Sequence, residues 1–186
     1  MALARAHKGY ADTSAGQVHY RRLGAGPTVV LIHWTPFSGR MFEGLMPRLV
    51  QAGYCAIAFD LLGYGRSDPR PETWSIEAYG ANLAEAMEAC GVETASAVGG
   101  HVGGAAALEL ALAAPARIER VVLDGLPFLS DELKAVLSQM VAAPRPNPGG
   151  ERDVTRLAFE AAVGVYREYV PGFEVTDETI EQIWPA

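Results

Sequence analysis

Cysteine is scarce, with Cys55 and Cys90 the two in 186 residues. Two thiols make no disulfide framework, and no CxxC or Cys/His cluster supplies zinc ligands. Both are expected to be free thiols in a reducing compartment, and no metal or other cofactor is implied. Basic charge is short as well: 15 Lys and Arg against 22 Asp and Glu give a net charge of −7. No basic run or stripe is present, which excludes nucleic acid and anionic membrane as natural partners. Long apolar runs are missing too. The stretch from Ala105 to Ala116 is interrupted by Glu109 and is too short to span a bilayer. Met1 to Tyr10 carries Arg5 and Lys8 but no apolar centre, unlike a secretory signal. These absences predict a soluble, cytoplasmic protein whose partner is a small molecule.

What is present is a core. The chain is 49% hydrophobic and 20% charged, and its length suits one ordinary domain. Lys8 to Ala11, Gln17 to Leu23 and Thr28 to Ile32 are predicted strands, the last two parted by the turn Gly24-Ala25-Gly26-Pro27. Val29-Val30-Leu31-Ile32 does not alternate, as expected of a strand covered on both faces. From Gly39 to Ala52 the apolar residues Met41, Phe42, Leu45, Met46, Leu49 and Val50 follow helical spacing, with Pro47 as a kink.

Tyr54 to Phe59 is the next strand. A helix follows from Ser75, its N-cap, to Cys90, with Ile76, Tyr79, Leu83, Met87 and Cys90 as its inner stripe. Thr94 to Val98 is a strand, Val102 to Ala113 a helix and Ile118 to Leu123 the last strand. Strands alternating with helices predict an α/β fold, a mostly parallel sheet of about six strands with helices on both faces. After Pro127 strand signals stop. Asp131 to Val141 and Val154 to Tyr169 look helical, which suggests a core over 1–127 and the start of a helical lid or cap over 128–186.

Three motifs fall at the carboxyl ends of predicted strands, where such sheets bind ligands. They are His33-Trp34-Thr35-Pro36, Asp60-Leu61-Leu62-Gly63-Tyr64-Gly65-Arg66-Ser67, and Gly99-Gly100-His101-Val102-Gly103. Together, in this order, they resemble the α/β-hydrolase superfamily over about Gln17 to Pro127. The third has the frame of the nucleophile elbow, G-x-Nuc-x-G, with His101 in the nucleophile slot. The second is similar to the loop D-x-x-G-x-G-x-S. The first corresponds to H-G-x-P, which supplies an oxyanion-hole amide from the x position, here Thr35.

Three departures from that pattern stand out. His101 replaces the usual Ser, Asp or Cys, and Trp34 replaces Gly, which resembles a subgroup with histidine in the elbow. The chain also stops at Ala186, before the strands that carry the triad histidine in the family, so that residue is not expected here. The resemblance implies a hydrolase of a small apolar ester, lactone or related carbonyl compound. His101 would be its base or nucleophile, and the amides of Thr35 and Val102 its oxyanion hole. Asp124, at the end of the last strand, is the candidate acid.

Blander readings stand beside each assignment. His101 can be a degenerate elbow kept for packing, because histidine tolerates left-handed backbone conformations. His33 suits a histidine that binds loop backbone, and Asp60 and Ser67 suit loop braces. His33, Trp34 and Phe37, with Phe128 and Trp184, line an apolar pocket or pack in the core or lid. A ligand-binding protein without catalysis, or a fragment completed by another polypeptide, are the rival functions. The Thr35-Pro36 peptide is expected in a tight turn beside the elbow, in either the cis or the trans form. Ile118 to Leu123 is expected at an open sheet edge, which predicts a homo-oligomer or a complementing chain.

Overall fold

A computed structural model describes residues 5–35, 37–72 and 74–126. The expected lid helices, Phe128, Trp184 and the Thr35-Pro36 peptide lie outside those residues. The described chain forms six strands: β1 (His7–Thr13), β2 (Gly16–Leu23), β3 (Thr28–Ile32), β4 (Cys55–Phe59), β5 (Ala95–Gly100) and β6 (Ile118–Asp124). Their order across the sheet is β1-β2-β4-β3-β5-β6. β1 with β2 and β2 with β4 are antiparallel, whereas β3 pairs in parallel with both β4 and β5, and β5 with β6. The α/β architecture is therefore as the alternation of elements predicts.

Among the described residues, three helices cover the two faces. α2 (Ile76–Ala89) and α3 (Val102–Ala113) share one hydrophobic cluster with Val30, Ile32, Ile57 and Phe59. α1 (Met46–Gln51), preceded by a 3-10 turn at Gly39–Phe42, closes the other face over Leu31, Ala56 and Ala58. β3 and β4 lie in the middle and bury nearly every residue, which is why neither alternates. Ser75 caps α2 as expected, its hydroxyl accepting from the Ala78 N–H at 3.3 Å.

The helix expected over Gly39 to Ala52 is the main correction. It is broken into the 3-10 turn and α1, and Pro47 kinks nothing. Proline lacks an N–H to donate, so it fits the first turn of a helix, where that donor has no partner. Pro47 sits there, and the chain before it follows a separate path. β5 also runs two residues further than expected, to Gly100, so the strand leads straight into His101. Among the described strands β6 is at the sheet edge, with Val122 53% and Leu123 42% exposed.

Candidate active site

His101 stands between β5 and α3 with φ 53° and ψ −126°. It is the one non-glycine residue with positive φ among those described. The expected excuse for histidine here does not hold, because that ψ lies far from the left-handed helical well near +45°. The conformation is strained for any residue with a Cβ, at a cost of about 1–3 kcal/mol. Its side chain caps nothing and is exposed. Its backbone is tied to β6 instead, the His101 N–H donating to Gly125 O at 2.9 Å and to Asp124 O at 3.3 Å.

Close backbone contacts impose that turn. A Cβ on Gly99 would lie 2.1 Å from the Gly103 carbonyl oxygen, and one on Gly103 2.4 Å from the carbonyl oxygens of Ile32 and His33. The start of α3 thus rests directly on the end of β3. Gly100 makes room for Trp34, whose indole Nε1 would be 1.8 Å from a Cβ placed there. Trp34 is half-buried, and its carbonyl accepts the Phe37 N–H at 2.8 Å. Val102 opens α3, so its N–H has no acceptor within the helix.

Asp124 pairs with Gly100 across β5 and β6, which places it at the height of the elbow. Its backbone contacts His101, but its exposed carboxylate has no hydrogen bond among the described residues. The structure therefore brings His101, Trp34, Phe37 and the Asp124 backbone to one end of the sheet. Phe128, a further candidate for the pocket, lies outside the described residues.

His33 is fully buried, and both ring nitrogens are used. Nδ1 lies 2.8 Å from Trp34 O, and Nε2 accepts the Leu61 N–H at 2.9 Å. A ring that donates through one nitrogen and accepts through the other is neutral. Burial holds its pKa below the usual 6.5, although the bond to Trp34 opposes that shift. His33 therefore ties the end of β3 to the loop after β4. A lowered folded pKa means that the unfolded chain binds the extra proton first. The His33 contribution to stability is complete above pH 6.5 and falls as the pH drops below it. The urea midpoint should fall between about pH 7 and about pH 5, and His33→Gln should flatten that slope. An unchanged slope in the variant would contradict this.

Asp60 is the hub of the loop after β4. It accepts from Gly39 N–H at 2.7 Å and Arg21 Nη1 at 3.2 Å on Oδ1, and from Arg66 N–H at 3.0 Å on Oδ2. His19 Nδ1 lies 2.9 Å from Oδ2. Ser67 Oγ donates to the Asp60 carbonyl at 2.6 Å and accepts the His19 N–H at 2.8 Å. Burial alone would raise the Asp60 pKa, but the bonds from His19 and Arg66 and the charge of Arg21 hold it below 3.8. His19 and Arg21, both buried on β2, were not candidates from the sequence.

The profile described as "alpha/beta hydrolase fold" matches residues 27–164. The chain belongs to the α/β-hydrolase family. It is 32% identical over 115 residues to bifunctional epoxide hydrolase 2 of Sus scrofa, covering 61% of this chain and 21% of that protein. It is 36% identical over 117 residues to the dihydrolipoyllysine-residue acetyltransferase component of the acetoin cleaving system of Cupriavidus necator, covering 61% and 30%. Among solved structures it is similar in fold to a hydrolase from Pseudomonas aeruginosa, with TM-score 0.75, 22% identity, and 96% of this chain on 67% of that one. An epoxide hydrolase from Vigna radiata gives TM-score 0.69 at 20% identity, with 96% of this chain on 62% of that one. The chain thus spans under a third of these curated relatives' length. No helix among the described residues is long and apolar enough to cross a membrane.

Proposed function

We propose that this chain carries the site of a hydrolase for a small, largely apolar ester, lactone or related carbonyl compound. His101 acts there as base or nucleophile. As a nucleophile, the neutral ring attacks the carbonyl carbon, the alkoxide leaves with a proton, and water hydrolyses the acyl-imidazole. As a base, the ring takes the proton of the water that attacks. In either case the amides of Thr35 and Val102 hold the carbonyl oxygen as it gains negative charge. The observation that carries this reading is the strained backbone of an exposed histidine at φ 53° and ψ −126°. Strain of that kind persists where the surroundings enforce it, and it clusters at active sites. The epoxide hydrolases among the relatives support hydrolytic chemistry in general.

A second reading has its own observation. No carboxylate hydrogen-bonds the His101 ring among the described residues, as a ligand-binding protein without catalysis would allow. Asp124 stands as the acid in the first reading because its backbone lies beside the elbow. The exposed Val122 and Leu123 support a second copy or a further polypeptide along β6. Turnover of p-nitrophenyl acetate separates the two functions. His101→Ala should lower the rate by about 100-fold or more, the usual share of a general base. Equal turnover in the variant, or none in the parent protein, would leave the binding reading in place.

A further inference from the structure

A cleft of about 340 Å³ lies away from His101, between β1 and the chain that enters α1. Leu23 and Met46 line it from the cluster that α1 covers, with Ala6 and Pro47 beside them. Lys8 lines it too, because it pairs with Arg21 across β1 and β2, and directly opposed residues project from one face of a sheet. Arg21 and Leu23, two apart on β2, share that face. β2, β4 and β3 stand between β1 and β5. At about 4.8 Å between neighbouring strands, β1 is roughly 19 Å from the strand that leads into His101. The cleft and the elbow are separate sites.

The charged groups of the cleft are Arg5, Lys8 and Glu43. Glu43 is already engaged, 3.3 Å from Arg21 Nε and 3.8 Å from Arg40 Nε. Arg5 and Lys8 are exposed, and neither side chain has a hydrogen bond or ion pair among the described residues. Exposed cations ordinarily need no partner, since water solvates them. What sets this pair apart is the apolar cavity beside it, in a chain whose net charge is −7. The one acid within reach is spent on other arginines.

We infer that this cleft binds a small organic monoanion, a carboxylate on a short apolar body. Arg5 and Lys8 hold the carboxylate, and Leu23 and Met46 receive the apolar part. The volume sits at the low end of the range for small-molecule sites, about 300–1,000 Å³, which suits a short body. Glu43 on the wall repels a second negative charge, so a monocarboxylate fits better than a phosphate. Arginine adds a planar fork that matches a carboxylate with two parallel hydrogen bonds. The inference does not rest on the hydrolase reading, although an ester or lactone hydrolase would release an anion of this class.

Binding of hexanoate and of hexanamide tests this, since the two share a shape and differ in charge. The parent protein should bind hexanoate about 2- to 30-fold more tightly, the worth of two exposed ion pairs. Arg5→Gln combined with Lys8→Gln should abolish the preference while hexanamide affinity stays within about twofold. Both side chains are exposed, so the double variant should fold as the parent does. In amide NMR spectra, hexanoate should move the resonances of Ala6, Lys8 and Met46 and leave those of His101 and Val102 in place. Equal affinity for the two ligands, or a preference that survives the double variant, overturns the proposal. So do shifts at His101 and Val102 without shifts at Ala6 and Lys8, which would place the anion at the elbow. Turnover of p-nitrophenyl acetate, measured alongside, tests the hydrolase reading separately. Its absence in the parent protein together with a hexanoate preference would sink catalysis and leave this site standing.

Discussion

Gly103→Ala is expected to lose about 3 kcal/mol of folding stability, the upper end of the usual cost of overpacking. The new Cβ would sit 2.4 Å from the carbonyl oxygens of both Ile32 and His33, and 2.9 Å from the Ile32 carbonyl carbon. These are backbone atoms at the end of β3, which pairs on both sides with β4 and β5. A flexible side chain could rotate away, but a central strand cannot move without taking the sheet with it. Gly44→Ala is the matched control, because a Cβ there meets nothing within 4 Å. Urea unfolding followed by circular dichroism reads both. A Gly103→Ala midpoint equal to that of the control would mean that α3 does not rest on β3 as described. The same contact bears on function, since it fixes where the Val102 N–H points.

Some of this was legible in the sequence for a simple reason. β3 and α3 fall where expected because each is governed by its own composition. Four consecutive buried apolar residues cannot be a half-exposed strand, and a Gly/Ala-rich run after a double glycine can pack only as a close helix. The Gly39 to Ala52 helix failed on a competition that periodicity does not register. Its apolar spacing was right, but Pro47 lacks the N–H that a helix interior requires, so the regular helix could begin only just before it. The sharp turn between β5 and α3 was readable from its glycines. Its ψ was not, because the conformation comes from contacts with β3 and β6 rather than from His101.

His19 and Arg21 show the other limit. In β2 they alternate with Val18 and Tyr20, and a polar face on a strand ordinarily meets solvent. Here that face is buried because a carboxylate 39 to 41 residues further on turns back over it. Burial of a guanidinium is tolerable only with such a partner, and no local pattern announces one. The D-x-x-G-x-G-x-S motif was the single available signal. It marked Asp60 and Ser67 as braces, without saying what they brace.

Asp60→Asn should therefore be the most damaging conservative change in the described chain, at about 3–5 kcal/mol. The carboxylate accepts from four donors, as many as its lone pairs can serve. An amide in its place offers one acceptor oxygen and turns an N–H toward groups that themselves donate. Arg21, 1% exposed, would be left with Glu43 alone at 3.3 Å, and Glu43 is half in solvent. Part of the cost is that stranded charge, so Arg21→Met should recover some of it. The double variant should lose less than the sum of the single losses, by about 0.5–3 kcal/mol, the range for groups in one network. Acid should imitate the substitution. The folded pKa of Asp60 is depressed, so its contribution is present above pH 3.8 and is lost as the pH falls through the lower folded value. Urea titrations of the parent protein, both single variants and the double variant give the cycle directly. Strict additivity would show that Asp60 and Arg21 act independently, and the loop after β4 would then owe its position to Ser67 and the backbone bonds instead.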